Sequence, residues 1–117
     1  MAGYMTTKSV VVRQGDSFDI VMQFRYSNGQ NMDLSDCEIK MAAEDDNKQQ
    51  VLLKKGEIID AGLGKARIKL TSKDTDLAAG NYKTDIQIKL KNGDVHTIFP
   101  QEVTTCGVLC ITPEVTK

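Results

Sequence analysis

The stretch Gly80-Asn81-Tyr82-Lys83-Thr84-Asp85-Ile86-Gln87-Ile88-Lys89-Leu90 decides the fold class of this 117-residue chain. Apolar and β-branched residues occupy every second position, and charged or amide residues fill the positions between them. A period of two is typical of a β-strand with one face buried and the other in water. Asn92-Gly93 follows, and the alternation returns in Val95, Thr97 and Phe99, so the sequence predicts a β-hairpin here.

The same period recurs towards the N-terminus. The run from Phe18 to Tyr26 alternates and ends in a second Asn-Gly turn at Asn28-Gly29. Shorter apolar groups separated by glycines follow, and a last strand is predicted from Val103 to Ile111. No strand alternates with a long helical pattern. The sequence therefore predicts an all-β protein, an immunoglobulin-like antiparallel β-sandwich of about seven strands.

The segment from Thr71 to Ala79 lacks this alternation. Thr71 or Ser72 is suited to cap a single helical turn that ends by Leu77, and we interpret the segment as a crossover between the two sheets. Tyr82 opens the strand after it, as in the tyrosine corner of immunoglobulin-like sandwiches. Structural roles are thus predicted for Tyr82 and for the turn glycines Gly29 and Gly93.

Length and composition indicate one ordinary folded domain. The chain is 40% hydrophobic and 26% charged, and it has no apolar run of the ~20 residues that a membrane helix needs. Residues 1–117 are predicted to form a single domain with tails at 1–8 and 113–117. The first residues do not have the pattern of a secretory signal, so synthesis in a cytoplasm is expected.

The charge balance argues against nucleic acid as a partner. The chain carries 15 basic and 16 acidic residues, for a net charge of -1, and its lysines are scattered among acids. Phosphate binding requires a clustered basic face. The charges are better interpreted as a solvated surface.

Catalytic chemistry has little support in the sequence. The one histidine, His96, stands in a predicted strand, and no Gly-x-Ser-x-Gly motif marks a nucleophile. We expect His96 to be a surface or ladder residue, and we predict no catalytic residue and no enzyme activity. The acidic groups Asp45-Asp46-Asn47 and Asp74-Thr75-Asp76 lack the pattern of a calcium loop and are interpreted as turn and cap residues.

The three cysteines favour reduced, buried thiols. Cys106 and Cys110 are four residues apart, roughly 13 Å along a strand, which is too far for a disulfide without a bulge. One disulfide formed by Cys37 across the core and a metal site remain alternatives. A zinc site would need a second ligand pair, and none is apparent. No metal or cofactor is therefore expected.

Five stretches of the chain resemble a family of phage baseplate and tail immunoglobulin-like domains, best known as the N-terminal domain of the phage baseplate upper protein. The similarity covers most of the chain, from about Val10 to Ile111. It is carried mainly by turn residues and by core periodicity. The matching stretches are Gln14–Phe18, Tyr26–Cys37, Gly64–Ile68, Asp76–Ile86 and Leu90–Pro100.

This resemblance implies a virion structural role, with assembly in the host cytoplasm. The implied partners are other phage structural proteins, with the chain present as a homo-oligomer or in many copies around a ring, and neither nucleic acid nor a membrane is implied. The Cys106/Cys110 pair and the lack of a long C-terminal extension depart from the family. The second departure favours a free-standing tail or baseplate adaptor or a decoration protein. A bacterial immunoglobulin-like adhesion or carbohydrate-binding module is the alternative, and it predicts an exposed aromatic platform.

The first and last predicted strands are apolar, and free strand edges pair readily with a neighbouring chain. We therefore hypothesise that these two strands form a partner-facing edge; the alternative is that both are simply strands of the sandwich. The residues assigned to this edge are Val10, Val11, Val12, Val108, Leu109 and Ile111.

Overall fold

The computed structural model describes residues 3–100 and 106–115. Over these residues the chain forms ten β-strands and no helix, so the predicted all-β class is confirmed. The strands are β1 (Gly3–Met5), β2 (Ser9–Arg13), β3 (Phe18–Gln23), β4 (Glu38–Glu44), β5 (Gln50–Lys55), β6 (Glu57–Asp60), β7 (Lys65–Leu70), β8 (Gly80–Lys89), β9 (Val95–Phe99) and β10 (Gly107–Thr112).

The strands form two sheets. The large sheet has the order β1-β2-β10-β8-β4-β5, with β9 also paired to β8, and the small sheet has the order β3-β7-β6. Neighbours are antiparallel except for β2 and β10, which run parallel. The prediction of a purely antiparallel arrangement is therefore wrong at this pair, because two segments distant in sequence run side by side in the same direction.

The strand count also exceeds the prediction of about seven, and one reason lies at the N-terminus. Residues 3–5, expected to lie in a tail, form β1 and pair with β2, with Tyr4 opposite Val11. A three-residue strand is too short to show a period of two in the sequence. On the C-terminal side, Pro113 to Val115 lie outside any strand.

The central strand of the large sheet is β8. It has β4 along one side, while β10 pairs with its first half and β9 with its second half. Thus β9 and β10 lie one after the other along the same side of β8, and both run antiparallel to it. Within the described residues the last strand is Gly107–Thr112, and the predicted start at Val103 lies outside the described part of the chain.

The inner faces of the two sheets share one hydrophobic core. Along β8, Thr84, Ile86 and Ile88 are buried, while Asp85 and Gln87 between them are half-buried. The small sheet contributes Ile20 together with Ala66, Ile68 and Leu70. The two faces that the alternation predicts are thus the faces observed, since successive residues of a strand point to opposite sides.

The two Asn-Gly turns share one geometry, a three-residue loop with glycine in its last position. Gly29 has φ +88° and Gly93 has φ +94°, and the N–H of each glycine donates to the carbonyl three residues earlier. Positive φ is strained for residues with a Cβ but open to glycine. In the third such loop, between β4 and β5, Lys48 takes the same position at φ +62°.

The crossover from β7 to β8 joins the small sheet to the large one, and Thr71 caps its single turn. The Thr71 N–H donates to Asp74 Oδ2 at 2.8 Å, and the Asp74 N–H donates to Thr71 Oγ1 at 3.2 Å. This reciprocal pair has the arrangement of a capping box. The turn closes when the Thr75 N–H donates to the Thr71 carbonyl at 3.2 Å.

We expect the stability of this crossover to depend on acid titration of Asp74. Burial raises the pKa of this carboxyl. Hydrogen bonds from Thr71 and Lys54 together lower the pKa by more than burial raises it, so it lies below the ordinary value. A lowered folded-state pKa contributes stability above the unfolded pKa of about 4, and this contribution is lost as the pH falls through the folded value. Asp74→Asn should therefore lower the free energy of unfolding near neutral pH and flatten its decline in acid.

Urea denaturation at a series of pH values measures this effect. Asp46→Asn is the matched control, because Asp46 is exposed in the turn after β4, and its acid profile should follow that of the wild type. If the unfolding free energy of Asp74→Asn fell with pH in parallel with that of the wild type, titration of Asp74 would not be what stabilises the crossover.

Tyr82, near the start of β8, fastens the crossover at its other end. Its hydroxyl donates a 2.6 Å hydrogen bond to the carbonyl oxygen of Ala78. The ring is half-buried and packs against the hydrophobic core. A tyrosine corner has this connection, in which a hydroxyl bonds to main chain a few residues upstream.

Candidate functional site

The structure does not place the sequence-predicted partner edge at an edge. Strand β10 lies inside the large sheet between β2 and β8, and β1 covers β2. The side chains of Val10, Val12, Leu109 and Ile111 are buried in the core, while Val11 and Val108 are half-buried on the outer face. The edge hypothesis for these residues is therefore wrong, because the two apolar strands pair with each other and pack inward.

The strand edges that remain differ in how well they are protected. Short strands and lysines are common devices that prevent edge-to-edge pairing. Strands β1 and β6 have three and four residues, β5 carries Lys54 and Lys55, and β9, which pairs with β8 on one side, is a five-residue edge of the large sheet. Strand β3 has six residues with a single charge, Asp19, so it is the least protected edge of the small sheet.

The main chain of β3 offers hydrogen-bonding groups on its open side. Phe24, just beyond the strand, donates its N–H to the Gly64 carbonyl at 2.8 Å, on the side of β7. Because these groups alternate in direction along an antiparallel strand, the groups of Asp19, Val21, Gln23 and Arg25 point away from β7. Within residues 3–100 and 106–115, no main-chain group pairs with them.

An apolar groove of about 500 Å³ runs between the open edge of β3 and the edge strand β9. Inward-facing side chains of β3 form one wall, and Ile98 and Phe99 form the other, with Met5 of β1 also in the lining. Arg25 is the charged residue among those that line the groove. The complete lining is Met5, Ile20, Val21, Met22, Gln23, Phe24, Arg25, Ile86, Thr97, Ile98 and Phe99.

The chain leaves β3 open because of how it enters the small sheet. It ends β2 at Arg13 in the large sheet and reaches β3 through a tight turn in which Gly15 has φ +81°. The Gln14 N–H donates to the Thr112 carbonyl at 2.8 Å, so this turn stays attached to the large sheet. The preceding strand therefore pairs with β10 and does not lie beside β3.

An apolar side chain and an ion pair lie next to each other on the outer face of the small sheet. Val21 is 68% exposed and stands opposite Arg67 of β7. The Arg67 guanidinium forms a 2.8 Å ion pair with Glu57 Oε2. The hydrogen bond between them lowers the pKa of Glu57 and raises the pKa of Arg67. The charge of Arg67 is thus held by its ion pair with Glu57, whereas the side chain of Val21 is exposed to water at the edge.

The residues weighed for catalysis and metal binding are dispersed. His96 is exposed on β9, where it pairs with Ile88 in the ladder. The three thiols are not joined in disulfides; Cys37 packs against the core, and Cys110 is half-buried on the large sheet. Cys106 is exposed, so the expectation that all three are buried is wrong for this residue. Within the described residues, no group of three His, Cys, Asp or Glu side chains is arranged to hold a metal ion.

The acidic turn residues have local hydrogen-bond partners. Asp45 accepts the N–H groups of Asn47 and Gln49 at 2.9 and 3.0 Å, which closes the turn between β4 and β5. Asp74 caps the crossover as described above. In the part of the chain that the structure covers, no helix has the length and apolar character to cross a membrane.

Sequence reasoning missed Val21, Gln23 and Arg25 as candidate binding residues. Their positions in the alternation correctly indicate the solvent-facing side of a strand, but no sequence signal distinguishes an edge strand from a central one. No protein-family model matches this chain, and no curated protein sequence is significantly similar to it. The site is therefore described from its own geometry, as an unpaired strand edge beside an apolar groove.

Proposed function

We propose that this protein is a phage virion structural protein, a tail or baseplate adaptor or a decoration module, that acts through protein–protein assembly. The observation that carries the assembly role is the open edge of β3 above an apolar groove. An exposed edge of this kind accepts an added strand through main-chain hydrogen bonds, with side-chain pockets to select it. The assignment to a virion rests on the sequence resemblance carried by the five stretches given under the sequence analysis.

We further propose that the sandwich is of immunoglobulin-like type. Strands β10, β8, β4 and β5 follow the order G, F, C and C′ of a variable-type sheet, and β3, β7 and β6 follow the order B, E and D. In that fold strand A extends the second sheet beside strand B. The corresponding place beside β3 is the open edge, which supports a role in receiving a strand from another chain.

Assembly on a particle requires little affinity from each contact. In a ring of many copies, one weak edge contact is repeated by symmetry, and the second and later contacts form at high effective concentration. A small module with a weakly protected edge strand is suited to this kind of association. The proposal assigns no catalytic step, cofactor or metal to the chain.

Mass spectrometry of purified particles tests the virion role. Peptides of this chain should copurify with tail and baseplate proteins at a fixed stoichiometry through a density gradient. The chain should be missing from the same fractions when its gene is deleted and restored when the gene is supplied in trans. A chain that never enters particles, or that is secreted by a bacterium and binds glycans, would overturn the proposal in favour of the adhesion module.

A further inference from the structure

We propose that the occupant of the β3 edge is β3 of a second copy of this chain, paired antiparallel about a two-fold axis at Met22. The small sheets of two copies would then join into one sheet of six strands across the edge. The inference rests on the proposed role of this edge in assembly, and it adds the identity and register of the partner strand. It does not depend on the particle in which the protein resides.

The first argument concerns main-chain hydrogen bonds. The unpaired groups belong to alternate residues, Asp19 to Arg25, so an antiparallel copy meets them only in registers that bring these residues opposite one another. An axis at Met22 places Val21 opposite Gln23 of the second copy and also Gln23 opposite its Val21. Each such pair exchanges two hydrogen bonds.

Charge complementarity selects this register. With the axis at Met22, Asp19 lies opposite Arg25 of the second copy, and symmetry repeats the pair. An axis at Val21 would place Asp19 opposite Gln23 and Arg25 opposite Ser17, and neither is an ion pair. Opposite charges directly across a ladder stabilise the pairing, whereas unmatched charges oppose it. The charges of two copies of the edge therefore pair better with the axis at Met22 than with the axis at Val21.

The apolar side chains fit the same arrangement. On the inner face, Ile20 would lie opposite Phe24 of the second copy, and Met22 would lie opposite its own equivalent. The grooves of the two copies would meet there, so the half-buried side chains of Met22 and Phe24, which line the open groove, would lose their contact with water. On the outer face, Val21, 68% exposed in one copy, would gain Gln23 of the second copy as a cross-strand neighbour. Burial of apolar surface supplies the main driving force for such association.

Sedimentation equilibrium of the full chain at low and high micromolar concentration tests the proposal. The mass should rise with concentration from 12.9 kDa to twice that value. Val21→Pro removes an edge N–H that does not bond to β7, and it should raise the dissociation constant at least tenfold. Val21→Thr keeps the donor and the branched shape, so it is the matched control and should dimerise like the wild type. Circular dichroism reports whether each variant is folded.

Charge exchange tests the register and remains informative even where the proline variant does not fold. Asp19→Arg and Arg25→Asp should each weaken the dimer, since each places like charges opposite one another. The double variant should restore it, because the pair is then reversed. A chain that stays monomeric at every concentration, a dimer that Val21→Pro does not weaken, or a double variant no better than the single ones overturns the proposal. Particle composition is measured separately, so failure of the dimer and failure of the virion role are distinguishable.

Discussion

Gly64→Ala lowers the free energy of unfolding by about 3 kcal/mol or more, the largest loss that we expect from any glycine substitution in a turn of this chain. Gly64 is buried in the turn between β6 and β7 and has φ +68°. A Cβ at this position would overlap the carbonyl oxygen of Phe24 and lie 2.8 Å from that of Met32. Both atoms belong to the main chain, so neither can move aside as a flexible side chain does.

The substitution would also disturb the candidate site. The Gly64 carbonyl accepts the Phe24 N–H at 2.8 Å, and this bond continues the pairing of β3 past Gln23. If the turn shifts to make room for a methyl group, the end of β3 beside the groove loses that anchor. We therefore expect Gly64→Ala to weaken the proposed dimer as well as the fold, even at temperatures where the variant is still native.

Gly29→Ala is the control for backbone strain alone. Gly29 also has positive φ, +88°, but a Cβ there would meet no atom within 4 Å. This variant should lose only about 1 kcal/mol, the cost of placing alanine in the left-handed region. Guanidinium denaturation of both variants measures the difference. Equal losses would show that close packing at Gly64 contributes nothing.

Leu34→Ala should cost about 3 kcal/mol of unfolding free energy, although Leu34 lies in a loop. Its side chain is 0% exposed and belongs to the core that the two sheets share. Its N–H donates to the Ala61 carbonyl at 3.0 Å, which ties this loop to the turn before β7. Truncation would leave a cavity that the sheets cannot close without moving apart.

Leu63→Ala is the matched control, because Leu63 is also a loop leucine but is 43% exposed. Its loss should stay below about 1 kcal/mol, as expected for a surface substitution. Chemical denaturation compares the two variants directly when both curves are fitted with the same dependence of unfolding free energy on denaturant concentration. A loss at Leu63 as large as that at Leu34 would contradict the packing described for this loop.

The alternating runs were sufficient to predict β8 and β3 and their buried faces. In Gly80–Leu90 and Phe18–Tyr26, side chains at every second position face one side because of strand geometry alone, so their burial follows from local sequence. The two Asn-Gly turns were also predictable from local sequence, since glycine adopts positive φ at little cost. A cap at Thr71 or Ser72 was also predictable, and the structure places it at Thr71, with Asp74 as its partner.

The pairing of strands could not be read in this way. Nothing local indicates that β2 runs parallel to β10, that three residues form β1, or that β3 has a free edge. These features depend on which distant segments pack together, and the same alternating pattern suits a central strand and an edge strand equally. The hypothesis that Val10–Val12 form a partner edge was wrong for this reason: an apolar strand near a chain end pairs as readily inside its own sheet.

The local pattern of residues thus dictates the all-β class, the inward and outward faces and the sharp turns of this protein, because each depends on backbone geometry within a few neighbours. Long-range packing alone decides the strand order, the burial of Leu34 as opposed to Leu63, and the open edge at Val21. Those properties arise from contacts between residues far apart in the chain, where many pairings satisfy the same local rules and only the assembled core selects one.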